Sequence, residues 1–324
     1  IARDVNSKPT GILHDKALGL ITAVMPPPSP KTVKDRARWI FGQLNGYGIT
    51  GIVTAQLDPM RLEAYRALEA ENQLTLRIQG SWDFNTRYVT GSLEDQAKVF
   101  MNRKDRGKNS DLINVDGVKI YMDGVPSDGE GGAPMIDAYA TAPTFGRPSI
   151  DEPTFSTRIH RFDAEGLKVM AHATCSLSVR HFLNAVEAVR RANGKGPRHH
   201  LAHSMLIYPD EIERFEFSHS NFIAEFSPYQ LWVPDPTANY GWVRLIGRDR
   251  FGEIFSPINS LVQAGAVVTY GSDWDNIPEP DPWFALEGMV TRRYPGRPEY
   301  GQLNPRERVD VETAIQIFTR NGAM

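Results

Sequence analysis

Short apolar runs alternate with longer amphipathic stretches along most of this chain. Seven runs have the length and composition of buried strands: Ile49–Ala55, Leu74–Gly80, Val118–Met122, Leu167–Ala171, His200–His203, Phe222–Phe226 and Val267–Tyr270. Between them the apolar residues recur at helical spacing. Val33–Leu44 places Ala37, Ile40 and Leu44 on one face, and Met60–Ala70 does so with Met60, Leu62, Tyr65 and Leu68. Leu177–Ala192 aligns Val179, Phe182, Leu183, Val186 and Val189. Strands separated by helices in this way predict βα units and a parallel sheet. Right-handed crossovers then favour a barrel or a doubly wound sheet.

Four chemistry-bearing residues fall at or near the ends of those runs: Lys119, His172, His203 and Asp273. A (β/α) barrel gathers its site from the carboxyl ends of several parallel strands. Two imidazoles, a carboxylate and a lysine gathered there predict a site for a divalent metal that activates water. Each residue also has a plainer reading. Asp273, in Gly-Ser-Asp, has the form of a helix cap. His172 and His203 read equally well as hydrogen-bonded strand-end histidines, and Arg198-His-His-Leu-Ala-His203 offers His199 and His200 as alternatives. Alternate strand residues share a face, so His199 and His203 are expected on one side and His200 on the other. Lys119 reads either as a solvent-facing lysine on an edge strand or as an inward one. The inward position is costly unless the charge is neutralised, and carboxylation by CO2 would turn it into an anionic ligand able to bridge two metals. Asp123 is a candidate to bind substrate or to orient a ligand, or is a turn residue before Gly124. Cys175 reads as a small packed residue rather than a nucleophile.

Loops 123–153 and 228–249 are long, and both are expected on the site face of the barrel. The first is rich in Gly, Pro and Asp; the second holds Tyr229, Trp232, Tyr240 and Trp242. With Trp274, at the start of a third loop running to Pro282, Tyr229 and Trp232 are expected to shape a substrate pocket.

Composition narrows the field further. The length of 324 residues, 41% of them hydrophobic, can hold one large α/β barrel or two ordinary domains. A net charge of −3 without a basic patch argues against nucleic acid as a partner. No apolar run approaches the roughly 18–20 residues of a membrane span. A single cysteine excludes an intrachain disulfide and fits a reducing, cytoplasmic setting. A small-molecule substrate is the expected partner, and a homodimer the expected assembly.

Taken together, several segments resemble the amidohydrolase superfamily, and within it amidohydrolase family 3, the N-substituted formamide deformylase-like proteins. They are Pro9-Thr-Gly-Ile-Leu13, Tyr47-Gly-Ile-Thr-Gly-Ile-Val53, Val118-Lys-Ile-Tyr-Met-Asp-Gly124, Arg198-His-His-Leu-Ala-His203 and Asp310–Ala323. The most specific is Gln263-Ala-Gly-Ala-Val-Val-Thr-Tyr-Gly-Ser-Asp-Trp274. The resemblance implies a (β/α)8 TIM barrel of the metal-dependent hydrolase type. It implies hydrolysis of carbon–nitrogen bonds in a non-peptide amide, such as an N-substituted formamide, with one or two divalent ions, expected to be zinc. Lys119, His172, His203 and Asp273 would be the residues of strands four, five, six and eight. Asp273 would take the proton from the activated water and pass it to the leaving amine, with His203 as the second catalytic residue.

The chain departs from the family pattern in three places. After His172 it reads Ala173-Thr-Cys-Ser-Leu-Ser178, without the family's acidic residue. After Gly124 it runs Ser127-Asp-Gly-Glu-Gly-Gly-Ala133 in place of a Thr-Ala pair. A first-strand His-x-His is absent from the chain, as are the segments that build the family's small β-sandwich. The expectation is therefore one barrel domain over residues 1–324, incomplete at both ends and lacking strand 1 and the sandwich. Ring deamination, hydrolysis of an ester or lactam, and a catalytically inactive barrel remnant with a binding role are the competing readings.

Overall fold

The computed structural model describes residues 1–13, 17, 19–84, 91–105, 110–126, 132–227, 241–274 and 280–324. Seven parallel strands form one curled sheet in sequence order, each paired with the next. They are β1 (Gly51–Leu57), β2 (Arg77–Asp83), β3 (Ile113–Tyr121), β4 (Lys168–Ala173), β5 (His199–His203), β6 (Phe222–Phe226) and β7 (Val267–Tyr270). The larger helices are α2 (Pro30–Gly46), α3 (Pro59–Ala70), α4 (Leu93–Asp105), α5 (Glu152–Ala164) and α6 (Ser176–Asn193), after a four-residue α1 (Gly19–Thr22). Shorter ones follow: α7 (Phe217–Ser220), α8 (Gly241–Ile246), α9 (Arg248–Ile254), α10 (Ile258–Gln263), α11 (Pro282–Thr291) and α12 (Val311–Phe318).

Strand periodicity separates the two faces of the sheet. Ile78, Val118, Ile120, Val169, Ala171, Leu201, Phe222, Ala224, Phe226 and Val268 join the main core, packed against Phe41, Phe100, Phe155, Phe162 and Phe182 of the helices. The alternate residues Lys119, Met170, His172, His200 and Glu225 face the concave side. Helix starts follow a repeated device. Ser29, Asp58, Asp151, Asp281 and Asp310 cap α2, α3, α5, α11 and α12 through their side chains, and all but α12 carry a proline in the first turn.

Three strands start two or more residues away from the sequence expectation, the second among them, which runs Arg77–Asp83 in place of Leu74–Gly80. The first runs two residues later than Ile49–Ala55, because Ile49 completes the turn after α2 by bonding back to Leu44. The third starts five residues before Val118. There the pairing with β2 skips Asp116, going from Gly80↔Val115 to Ser81↔Gly117, a bulge that breaks the apolar pattern. Gly117 is required at that point, since a Cβ would lie 2.3 Å from the Ser81 hydroxyl.

Among the described residues no eighth strand pairs with β1 or β7, and residues 1–13 form only an isolated antiparallel bridge between Arg3 and Pro9. A second, smaller core lies apart from the first. It joins Ala133, Met135 and Tyr139 to Cys175, Met205 and Leu206, and to Val243, Ile246, Phe251 and Phe255. No described helix is long and apolar enough to cross a membrane.

Candidate active site

The carboxyl ends of the strands bring His172 beside His203 and set Lys119 within electrostatic reach of Asp123 and Asp273. His172, the fifth residue of β4, and His203, the last of β5, stand with ring centroids 4.3 Å apart. Simple alternation places His203 with His199 on the helix side. The backbone prevents this: His203 and Ser204 take φ values of 80° and 44°, and this left-handed turn ends the strand and returns the His203 ring to the site. His199 stays on the helix side, where its Nδ1 accepts from the Val169 amide and its Nε2 meets Asp163 at 3.0 Å. It is a structural histidine. Asp273 also has a left-handed backbone, with φ of 48°. Backbone strain of this kind at non-glycine residues is concentrated at functional sites.

Asp123 holds His172. Its Oδ1 lies 2.8 Å from His172 Nδ1, and its two oxygens also accept the amides of Thr174 and Cys175 at 2.9–3.1 Å. With its side chain fully enclosed, the carboxylate is committed to orienting that ring and the turn after β4. His203 Nδ1 lies 2.8 Å from the Ser227 hydroxyl, which in turn donates to Glu225 Oε1 at 2.7 Å. Both imidazoles therefore have Nδ1 engaged, leaving Nε2 for a ligand. Imidazoles held this way are the usual form of metal-binding histidine.

Lys119 sits in the third of seven strands, not at an edge, and is 3% exposed. Burial pushes its pKa down to about 8, against the opposing pull of Glu225, Asp273, Asp123 and Asp83. Burial likewise raises Glu225 to about 7, while Ser227 and Lys119 pull it back. His200, half-buried with Nε2 3.8 Å from Glu225 Oε2, is pushed down to about 3 by desolvation and by Lys119 and Lys168. His203 is driven well below the ordinary histidine range by burial and by His172. His203 and Lys119 thus lie where added positive charge is disfavoured and a neutral, electron-donating form is favoured. Tyr121 packs at 5.5 Å from the His172 ring and is hydrogen-bonded by Gln56.

Glu225 and Ser227 are hydrogen-bonded into the site and are positions that the sequence reading passes over. Phe222-Ile-Ala-Glu-Phe226 reads as an apolar strand, yet one charged residue at an inward position is the signal that marks Glu225. Tyr229 and Trp232 lie outside the described residues. Trp274 packs partly buried against the main core. Cys175 is fully buried in the second core, with its thiol raised by burial, and is no nucleophile as it stands. Among the described residues no three His, Cys, Asp or Glu side chains are placed to hold an ion on their own. The donor set fits a metal in part, with two oriented imidazoles that need Lys119 or a further group beside them.

A parallel sheet whose strand ends gather two oriented histidines, a buried lysine and an aspartate with left-handed backbone has the arrangement by which a (β/α) barrel collects a site. The sequence pattern of the amidohydrolase family matches residues 1–324, and the chain belongs to that family. It is 24% identical over 330 residues to YtcJ of Bacillus subtilis (strain 168), which carries the name amidohydrolase provisionally. It is 22% identical over 342 residues to the N-substituted formamide deformylase of Arthrobacter pascens. Each alignment covers 100% of this chain, and 58% and 57% of those relatives, so the chain spans less than two thirds of their length. An uncharacterized metal-dependent hydrolase from Pyrococcus horikoshii OT3 has the same fold. The TM-score is 0.76 at 19% identity, covering 97% of this chain and 60% of that one.

Proposed function

We propose that this chain carries most of the catalytic barrel of a metal-dependent hydrolase acting on the carbon–nitrogen bond of a non-peptide amide, such as an N-substituted formamide. The observation that carries the reading is the pair of imidazoles, His172 and His203, side by side with Nδ1 engaged on each. Nε2 of these rings, Lys119 as its carbamate, and Asp273 would hold a divalent ion, expected to be zinc. When bound, the ion supplies Lewis acidity that makes water nucleophilic near neutral pH. Burial favours the neutral amine of Lys119, the form that takes up CO2. Asp123 fixes the His172 ring. Asp273 takes a proton from the attacking water and delivers it to the leaving amine nitrogen.

Segments 123–153 and 228–249, the second of which includes α8, supply the walls of the substrate pocket in this reading, together with Trp274. The described part of the first supports it. The Thr174 hydroxyl donates to Gly124 O, Ile136 N donates to the Ser176 hydroxyl, and Trp242 Nε1 reaches Pro126 O at 3.1 Å. The loop is thereby tied to the turn that follows His172.

An assay of amine and formate release from N-alkylformamides tests the reading. Activity is expected to vanish on chelation, to return with Zn²⁺, and to fall by roughly 10²–10⁴-fold in Asp273→Asn, the usual worth of a proton carrier. Turnover that survives both chelation and Asp273→Asn overturns it. Ammonia release from a cyclic amidine, with formamides untouched, would replace amide hydrolysis by deamination.

A further inference from the structure

We propose that Ser227 and Glu225 form a positioning relay that locks His203 as its Nδ1–H tautomer and so presents Nε2 to the site. The proposal deepens the reading of His203 as a ligand and rests on it. Glu225 is the inward-facing fourth residue of β6, and Ser227 lies two positions further, just beyond the strand end. Ser227 and Glu225 are 1% and 5% exposed, and His203 8%, so water is a poor substitute for any of these contacts.

The direction of the relay follows from proton counting. A serine hydroxyl has one hydrogen, and with Glu225 ionised that of Ser227 is given to Glu225 Oε1 at 2.7 Å. Towards His203, Ser227 Oγ can then only accept, and Nδ1 must donate across the 2.8 Å contact. Neutral imidazole has one N–H, so Nε2 keeps its lone pair. Glu225 is held from two further sides. It accepts the backbone amide of His203, and it occupies space that only glycine leaves at position 271, where a Cβ would lie 2.5 Å from Oε1. The sequence Gly-Ser-Asp after β7 therefore does two things at once. Gly271 makes room for the relay and Asp273 enters the site.

Long-range ¹H–¹⁵N correlation of the imidazoles, on the metal-free chain labelled with ¹⁵N-histidine, reads the tautomer directly. In the unsubstituted protein His203 and His172 are both expected as Nδ1–H. Ser227→Ala should move His203 to a mixture or to Nε2–H while His172, held by Asp123, stays unchanged. Ser227→Thr should restore the original state. Gly271→Ala should act like Ser227→Ala by displacing Glu225 with all three relay residues kept. Zn²⁺ titration should shift the His203 resonances, with a Kd roughly 10–100-fold weaker in Ser227→Ala, the usual cost of losing such a partner.

An Nε2–H tautomer for His203 in the unsubstituted protein overturns the relay, whether or not the variants fold. So does a Ser227→Ala protein in which Nδ1–H persists. An Nδ1–H His203 that responds to Ser227→Ala but not to Zn²⁺ upholds the relay and removes the ligand reading instead.

Discussion

At the scale of single residues, hydrogen-bond direction decides more than residue type. His199 and His203 stand four apart in one strand and do different things. His199 is buried between β4 and the α5–α6 pair, with Asp163 and Arg190 around it. Burial lowers its pKa below the ordinary 6.5, and Asp163 is also held below its ordinary 3.8 by His199, Asn193 and Arg190 despite burial. In both cases the folded state binds protons less readily than the unfolded one. Stability from this pair is thus present above pH 6.5 and is lost as pH falls, first through His199 and then, below 3.8, through Asp163. In urea titrations His199→Gln should be less stable than the unsubstituted protein at neutral pH, and the gap should narrow on acidification through the histidine range. A gap that widens on acidification would contradict this assignment. His200 and His203 have depressed values too, so the difference between the two proteins is the quantity to read. The pairing of His172 with His203 was open to view in the sequence, because strand ends are visible as apolar runs. The sequence did not show how His203 turns, because a left-handed φ at a histidine leaves no mark in hydrophobic patterning. Glu225 was hidden by its apolar neighbours, although its parity in the strand was open to view.

At the scale of elements, α6 shows why the βα pattern was so legible. Val179, Phe182, Leu183, Val186 and Val189, the stripe expected from spacing alone, are all buried on the sheet side. Phe182 meets Phe222 of β6 edge-to-face at 5.1 Å and Phe155 of α5 at 6.2 Å. Phe182→Ala should cost about 3–5 kcal/mol, measured as a shift in the denaturant midpoint. A loss below about 1 kcal/mol would mean that the site collapses around the gap or that α6 packs differently. The β2–β3 bulge was less legible. Asp116-Gly117 interrupts the apolar run, so the pattern starts the strand at Val118, while the backbone is already strand from Ile113. Short helices such as α8 and α9 were hidden for a related reason. They pack on the second core rather than on the sheet, so their apolar residues follow no βα rhythm.

At the scale of the whole molecule, the sheet has a protected middle and two outer strands. β4 and β5 are each paired on both sides, whereas β1 pairs only with β2 among the described residues. The concave side of β1 is also the more open one, with Val53 44% exposed. Amide hydrogen exchange should therefore be slowest in β4 and β5 and fastest, among the strands, in β1 and β7. Equal protection of β1 and β4 would show that another segment covers the β1 edge, the ordinary remedy for an unpaired strand. Hydrogen exchange thus bears on the expectation of a barrel without its first strand, independently of any activity.

The division of the apolar interior into two cores has a thermodynamic consequence. The main core sets the spacing of the strands, and the second anchors residues 132–139 and α8–α9 above their ends. Phe251, stacked on Phe255 at 4.4 Å, belongs only to the second. Phe182 belongs only to the first. Losses from Phe182→Ala and Phe251→Ala should then sum, with a coupling energy within about 0.3–0.5 kcal/mol of zero in a double-mutant cycle. A larger coupling would mean that the two interiors respond as one. Independence would let residues above the strand ends change composition, one apolar side chain for another, without disturbing the register that holds His172 beside His203. In such a molecule the framework and the part that covers it can diverge at different rates.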